Sequence, residues 1–156
     1  MKTADLYDKY EEHLQVCQPL FHHYGGHRTF HGQIATVKCF EDNSLVSEQL
    51  GQPGLGRILV VDGGGSLRCA MLGDILAKKA VDNGWTGILM FGCIRDAEEI
   101  GEMQLGVLAL ATIPRKSVKK GRGDSGEPVS FAGVTFRPGE WLFADADGVV
   151  VLPDKP

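Results

Sequence analysis

The chain has 156 residues, of which 43% are hydrophobic, and its formal net charge is −4 at pH 7. This length is usual for one domain, so we predict a single domain over residues 1–156. The mild negative charge, with lysines and arginines scattered along the chain, argues against direct nucleic-acid binding through a basic face. The apolar runs are about strand length, far short of the roughly 20 residues that a membrane helix needs, so no membrane partner is expected.

The compartment is predicted from the cysteines and from the first residues. The chain has four cysteines, none of them in a C-x-x-C pair: Cys17, Cys39, Cys69 and Cys93. No basic segment with a following apolar stretch opens the chain, so we expect a cytoplasmic protein with reduced, mostly buried thiols. Cys93 lies close to Arg95 and could be a nucleophile, but with no histidine near it in sequence a buried structural thiol is favoured.

The first two thirds of the chain alternate between helix and strand signals. The predicted elements, in chain order, are a helix over 3–15 capped by Thr3, a Gly- and His-rich loop over 21–31, a strand over 33–40, a helix from 43 or 44 to 51, a strand over 57–62, a helix over 74–83, a strand over 87–93, a short helix over 97–103 and a strand over 106–111. This β-α-β order predicts parallel strand pairing.

The last third has a different texture. Residues 116–127 are polar, charged and Gly-rich, which predicts a mobile loop. Short strands are predicted over 129–131, 134–136, 141–144 and 149–152, with Asp147 and Gly148 forming a hairpin turn. The predicted fold class is therefore α/β, with a parallel first half and a mostly antiparallel second half.

The most informative motif is Asp74, followed after twenty residues by Arg95 and Asp96. Asp74 starts a predicted helix, and the Arg95–Asp96 pair follows a predicted strand. A helix start and a strand end that are one helix and one strand apart can lie side by side at one sheet edge. The spacing therefore predicts that two carboxylates and one guanidinium converge there.

These residue types suit the chemistry of a 2-oxo acid. Cleaving a carbon–carbon bond next to its ketone leaves an enolate, which a divalent cation can stabilise. Asp96 is the candidate metal ligand, and Arg95 is suited to grip the substrate carboxylate. Asp74 could hold a metal-bound water or act as base. The same spacing also fits a helix-start aspartate and a surface Arg-Asp ion pair, and the residues alone leave both interpretations open.

The backbone before the predicted helix is the other half of the candidate substrate site. Amide N–H groups at a helix start can take the remaining substrate oxygens. The segment that supplies them is Gly73, Asp74, Ile75 and Leu76.

Six stretches of the chain, in this order and spacing, resemble the family of class II aldolases and regulators of ribonuclease activity A (RraA-like proteins). The matching segments are 18–21, 32–39, 60–66, 73–77, 92–96 and 144–149. The resemblance implies a swivelling β/β/α domain that assembles as a homotrimer or a dimer of trimers. It also implies that Asp96 binds Mg²⁺ or Mn²⁺, that Arg95 and residues 73–76 bind substrate, and that Glu99 matches an acidic position of the aldolases.

The same resemblance implies two functions of different kinds. One is a metal-dependent lyase that cleaves 4-carboxy-2-oxo acids to pyruvate, as 4-hydroxy-4-methyl-2-oxoglutarate aldolase and oxaloacetate decarboxylase. The other is a protein-binding inhibitor of ribonuclease E, with that enzyme as partner. The longer aldolases carry a C-terminal extension with an acidic residue, and this sequence stops at Pro156. We therefore expect decarboxylation to be the more robust activity.

Three further features are interpreted structurally. The segment Asp62, Gly63, Gly64, Gly65 follows a strand but lacks the alternate-glycine spacing of a dinucleotide fingerprint, so a tight turn is predicted. Four histidines in one loop, His22, His23, His27 and His31, have no acid or cysteine spacing that supports a metal site. A basic cluster in the later loop predicts a solvated surface: Lys116, Lys119, Lys120 and Arg122.

Overall fold

The computed structural model describes residues 1–156. The helices are α1 (Thr3–Tyr10), α2 (Ser44–Leu50), α3 (Asp74–Asp82) and α4 (Ala97–Gly101). The strands are β1 (Gln15–Val16), β2 (His22–His23), β3 (Phe30–Lys38), β4 (Ile58–Asp62), β5 (Ala70–Leu72), β6 (Gly87–Ile94), β7 (Gly106–Thr112), β8 (Asp124–Ser125), β9 (Val129–Phe131), β10 (Val134–Phe136), β11 (Trp141–Asp145) and β12 (Gly148–Leu152).

Ten of the strands form one mixed sheet. Its order is β1-β12-β11-β3-β4-β6-β7-β2, with β5 paired to β6 and β8 paired to β3. The central strands β3, β4, β6 and β7 are parallel, while β11, β12 and β1 pair antiparallel. A second, small sheet consists of the β9–β10 hairpin. The predicted α/β fold with a parallel first half and a mostly antiparallel second half is confirmed.

The central part of the sheet is covered on both faces, by the helices on one side and by the β9–β10 hairpin on the other. All five residues of β4 are buried. Because successive side chains of a strand point to opposite faces, Leu59 and Val61 join the core under the helices, whereas Ile58 and Val60 join the core under the β9–β10 hairpin. The parallel half is thus a rigid layer between two apolar cores, and its strand ends are free to carry polar groups.

The N-terminal helix differs from the prediction. It ends at Tyr10 instead of residue 15, and its first flanking residue is Lys2, without a side-chain cap. Thr3 is not the cap, because its hydroxyl and its N–H donate to the buried carboxylate of Asp145 at 2.7 and 2.8 Å. The helix start is therefore fixed by a contact across the fold and not by local capping.

Four short strands, β1, β2, β5 and β8, were also not predicted. The predicted loop over 21–31 contains β2 and the start of β3, and β5 lies in a stretch with no predicted element. The predicted mobile loop over 116–127 is irregular, but β8 ties its end to β3. Backbone N–H groups of Lys120 and Arg122 also donate to Asp42. Long-range contacts, and not local propensity, form these pieces.

No helix of the structure has both the length and the apolar character that crossing a membrane requires.

Candidate functional site

The pairing of β5 with β6 brings the two halves of the motif together. The strands are parallel, with Leu72 opposite Ile94. The next residue after each strand end continues this contact, because Arg95 donates its N–H to the carbonyl of Leu72 at 2.9 Å. The start of α3 and the Arg95–Asp96 pair therefore lie side by side at one sheet edge, as the spacing predicts.

The carboxylate of Asp96 lies at the start of α3. Its Oδ2 accepts the N–H of Asp74 at 2.9 Å, where the helix dipole favours a negative charge. Asp96 has a left-handed backbone, with φ 57° and ψ 42°, which is uncommon for residues other than glycine and concentrates at functional sites. The carboxylate is thus held in a defined place with its second oxygen, Oδ1, free of protein donors.

Gly73 lets this carboxylate approach the helix. A Cβ built on Gly73 would lie 2.8 Å from Oδ2 of Asp96 and 3.5 Å from Cγ of Arg95. Any larger residue would push the carboxylate away or shift the helix start. The glycine is therefore required here by space, since its own φ of −131° is open to any residue.

The guanidinium of Arg95 is available to an anion. Arg95 is exposed, and the one hydrogen bond of its side chain runs from Nη1 to the carbonyl of Pro114 at 3.4 Å. The structure has two ion pairs, Arg68 with Glu41 and Lys78 with Asp82, so Arg95 and Asp96 do not form a surface salt bridge. The ion-pair interpretation of the motif is thus not what this structure shows.

The motif opens onto a cavity of about 530 Å³. All six predicted site residues line it, together with Asn43 before α2, two residues of β5 and the segment 116–119. The full lining is Asn43, Ala70, Leu72, Gly73, Asp74, Ile75, Leu76, Arg95, Asp96, Lys116, Ser117, Val118 and Lys119. Their functional roles stay predictions, but the sequence spacing did identify residues that share one cavity.

Sequence reasoning did not place three residues in the cavity wall: Lys116, Lys119 and Asn43. The two lysines belong to the basic cluster for which the sequence predicts a solvated surface. Asn43 was predicted only as a helix start, and its side chain donates to the carbonyl of Met71 at 3.3 Å while its Oδ1 is buried without a partner. The lysine cluster was the one signal that could have located this wall.

The donor set fits a divalent cation in part. The cavity offers the carboxylates of Asp74 and Asp96, and no group of three or more His, Cys, Asp or Glu side chains converges anywhere in the chain. Mg²⁺ commonly binds one or two carboxylates and keeps several waters or substrate oxygens. A cation at Asp96 is consistent with this chemistry. Glu99 is exposed on α4 and does not line the cavity.

Cys93 is not suited to nucleophilic chemistry. Its side chain is 1% exposed, and burial raises the pKa of its thiol. All four cysteines are free and buried, as the sequence predicts. A neutral, enclosed thiol is an inert packing residue.

The glycine turn after β4 packs against aromatic side chains. Gly64 and Gly65 both have φ of +70°, and a Cβ on either would lie within 3.2 Å of an aromatic ring, that of Phe40 or Phe91. The turn is therefore filled by side chains of the chain itself, as a tight structural turn.

Comparison with known proteins agrees with this architecture. The model of the RraA-like family, described as Aldolase/RraA, matches residues 3–151. A protein of Ectopseudomonas mendocina named "Putative 4-hydroxy-4-methyl-2-oxoglutarate aldolase" is 58% identical over 97% of this chain and 93% of its own length. A protein of the same name from Azotobacter vinelandii is 57% identical over the same shares.

Two solved structures superpose closely. One, from Geobacillus kaustophilus and described as S-adenosylmethionine:2-dimethylmenaquinone methyltransferase, has a TM-score of 0.97 and 52% identity, covering 99% of this chain and 96% of that one. The other, the RNA-processing inhibitor RraA from Thermus thermophilis, has a TM-score of 0.97 and 44% identity, covering 100% and 94%. The fold is thus shared by proteins with three different names.

Proposed function

This chain belongs to the RraA-like family, and we propose that it is a divalent-metal-dependent lyase that cleaves 4-carboxy-2-oxo acids to pyruvate. The supporting observation is the fixed carboxylate of Asp96 at the start of α3, next to the unpaired guanidinium of Arg95. The close approach of this carboxylate to Gly73, with Oδ1 left without a protein donor, supports a ligand-binding role for Asp96. The names of the aldolase relatives agree with a lyase.

Substrate binding would use positive charge from two sides of the cavity. The planar fork of Arg95 suits the carboxylate next to the ketone. The N–H groups of Ile75 and Leu76 lie in the first turn of α3, where no intrahelical acceptor exists. Lys116 and Lys119 add positive charge for the distal carboxylate. This set favours a dianionic 2-oxo acid over a neutral ketone.

Asp96 would hold the cation through Oδ1, since Oδ2 already accepts the N–H of Asp74. A bound Mg²⁺ or Mn²⁺ would act as a Lewis acid on the ketone oxygen of the substrate. The hard oxygen ligands of this site suit both ions.

In oxaloacetate decarboxylation the bond from C3 to the C4 carboxylate breaks, and its electron pair moves toward the C2 oxygen as carbon dioxide leaves. The resulting enolate then takes a proton from water at C3 to give pyruvate. Arg95 and the α3 amides would stabilise the developing charge by fixed hydrogen bonds. Aldol cleavage also needs a base for the hydroxyl proton on C4, and Asp74 is the carboxylate at the site that could accept it. Decarboxylation thus requires fewer residues than the aldol reaction.

Metal removal tests the proposal. Wild-type protein treated with a chelator should lose pyruvate formation from oxaloacetate, and added Mg²⁺ or Mn²⁺ should restore it. Unchanged turnover after exhaustive chelation would contradict the metal dependence. Absence of turnover under every metal condition would contradict the lyase proposal.

The second candidate function is binding and inhibition of ribonuclease E. It is supported by the close superposition on the RNA-processing inhibitor RraA of Thermus thermophilis. A pull-down with purified ribonuclease E, run beside the oxaloacetate assay, separates the two candidates. Binding without turnover would favour the regulator, and turnover without binding would favour the enzyme.

We also propose that the chain forms a homotrimer. Two large apolar side chains that line the cavity are exposed, Ile75 (79%) and Val118 (63%), and so is Phe40 (59%) elsewhere on the surface. Burial of such a group in a subunit contact would remove it from water. Light scattering coupled to size exclusion gives the mass, and a monomer at micromolar concentration would contradict the proposal.

A further inference from the structure

Asp42 is a buried carboxylate that the proposed chemistry does not use. It is 3% exposed, and both of its oxygens accept hydrogen bonds. Oδ1 accepts from the hydroxyl and the N–H of Ser44 at 2.6 and 3.0 Å. Oδ2 accepts from the N–H groups of Lys120 at 2.8 Å and Arg122 at 3.1 Å. One side chain thus joins the start of α2 to a segment about eighty residues away.

The carboxylate stays ionised in spite of its burial. Burial on its own would raise the pKa of Asp42, but the hydrogen bonds from Ser44, Arg122 and Lys120 outweigh this effect and hold the pKa well below its usual range. Hydrogen bonds to a charged acceptor are stronger than those between neutral groups. The contact to the distant segment is therefore a firm anchor at neutral pH.

The segment that Asp42 anchors forms one wall of the candidate site. Residues 116–119 line the cavity, and Lys116 and Lys119 supply its positive charge. The wall is fixed before these residues, where the N–H of Ala70 donates to the carbonyl of Arg115 at 2.7 Å. After them it is fixed by Asp42. Lys116 also forms a β-bridge with Ala70. Beyond it, the N–H of Val118 makes a long contact of 3.4 Å to the carbonyl of Glu41, so Lys119 is the lysine that depends most on the Asp42 anchor.

The neighbouring residue connects the same turn to the opposite wall. Asn43 donates to the carbonyl of Met71 in β5, the strand that leads into Gly73 and Asp74. Asp42 and Asn43 therefore link the lysine-bearing wall to the wall that carries the motif. The distance between the two walls depends on this turn.

We propose that Asp42 is the positioning residue that sets Lys116 and Lys119 for recognition of the distal carboxylate. The inference rests on the proposed lyase function and adds a residue that touches neither substrate nor metal. Loss of the anchor should loosen the lysine wall, weaken substrate binding and leave the Asp96–Arg95 arrangement in place.

The test compares Asp42→Asn with a matched control, Asp145→Asn. Asp145 is also buried and also accepts several hydrogen bonds, from Thr3 and from the N–H of Asp147. Asp145 does not line the candidate cavity but a different one. A general loss of stability should appear in both variants, whereas an effect through the lysine-bearing wall should appear only in Asp42→Asn.

Two readouts separate positioning from stability. For Asp42→Asn, KM for oxaloacetate should rise about tenfold, comparable to one charge-assisted contact, with kcat within about twofold of wild type. Trypsin should cut 116–122 about tenfold faster, as expected for a loop freed from one such contact. Asp145→Asn should change neither KM nor cleavage in this segment. If Asp42→Asn does not fold, Ser44→Ala should show the same pattern at smaller size, because it removes one donor to Asp42 and one acceptor for the N–H of Gly121 in the same segment.

The outcomes are distinct. Equal cleavage of 116–122 in the two variants, or faster cleavage with an unchanged KM, would overturn the proposal. A fall in kcat without a change in KM would also overturn it, because the anchor would then act on the reacting groups. If wild-type protein turns over no oxaloacetate, the lyase proposal fails and positioning for substrate fails with it, and the cleavage comparison then decides only whether Asp42 anchors the segment.

Discussion

The aspartates at the C-terminal ends of β11 and β6 have two different surroundings. At the end of β11, Asp145 has both oxygens satisfied by Thr3 and Asp147. At the end of β6, Asp96 has one free oxygen, a left-handed backbone and an unpaired arginine beside it. The first arrangement closes the antiparallel half and stabilises it. In the second arrangement the backbone of Asp96 has an uncommon conformation and the polar groups stay accessible to a ligand, a combination that is frequent at functional sites.

Among the substitutions that test this comparison, Arg95→Lys should have the largest effect on catalytic activity. A lysine keeps the charge but loses the planar fork that grips a carboxylate, so kcat/KM for oxaloacetate should fall by about 100-fold. Steady-state kinetics measure this, with Lys78→Arg on the exposed face of α3 as a control that keeps wild-type values. Near-normal kcat/KM for Arg95→Lys would show that the guanidinium fork is not used.

The next effect is that of Gly73→Ala. Its methyl group would lie 2.8 Å from Oδ2 of Asp96 and displace the carboxylate, so we expect kcat to fall by about tenfold or more, as for a misplacement of about 1 Å. Gly101→Ala in α4 is the control, because its Cβ meets only the carbonyl of Tyr24 at 3.5 Å. Equal activity of the two variants would mean that the close approach at Gly73 has no catalytic consequence.

On the other side of the comparison, Thr3→Val should affect stability and not activity. It removes the hydroxyl donor to a buried carboxylate, which costs roughly 1–3 kcal/mol of unfolding free energy. Urea unfolding measures the loss, and the oxaloacetate assay should give wild-type values. A loss of activity under conditions in which the variant is fully folded would mean that the region around Asp145 affects the candidate site.

The smallest expected effect is on the decline of the melting temperature as the pH falls. Burial would raise the pKa of Asp145, but hydrogen bonds from Thr3, Asp147 and Gly148 lower it below its usual value. A lowered folded-state pKa adds stability above the unfolded-state value of about 3.9, and this is lost as pH falls through the folded-state pKa. Asp145→Asn should therefore flatten the decline of melting temperature below about pH 4. An identical decline in wild type and variant would contradict this contribution.

Much of the site could be predicted because its geometry follows from simple rules. A helix and a strand separate Asp74 from Arg95, and parallel pairing places both at one edge. The hairpin of β11 and β12 was likewise predictable from a local turn signature, but its position was wrong by one residue: the turn residues are Ala146 and Asp147, and Gly148 already pairs with Asp145. These features depend on residues close in sequence or on a regular repeat.

What the sequence did not reveal depends on single contacts over long distances. The three residues of β5 are too few to show a strand period. Nothing near Thr3 indicates that its hydroxyl binds Asp145 instead of capping α1. The anchoring of residues 116–122 rests on backbone donors 78 and 80 positions away from Asp42. Such side-chain-to-backbone bonds leave no pattern in composition or periodicity.

The most direct test of the central claim is the kcat/KM of Asp96→Asn for oxaloacetate at saturating Mg²⁺, measured beside Glu99→Gln. Asn keeps the size of the side chain and an acceptor for the N–H of Asp74 but loses the charge that would bind a cation. We predict a loss of at least about 100-fold for Asp96→Asn, in line with the removal of a single catalytic electrostatic group, and wild-type values for Glu99→Gln. An Asp96→Asn variant as active as wild type would contradict the account.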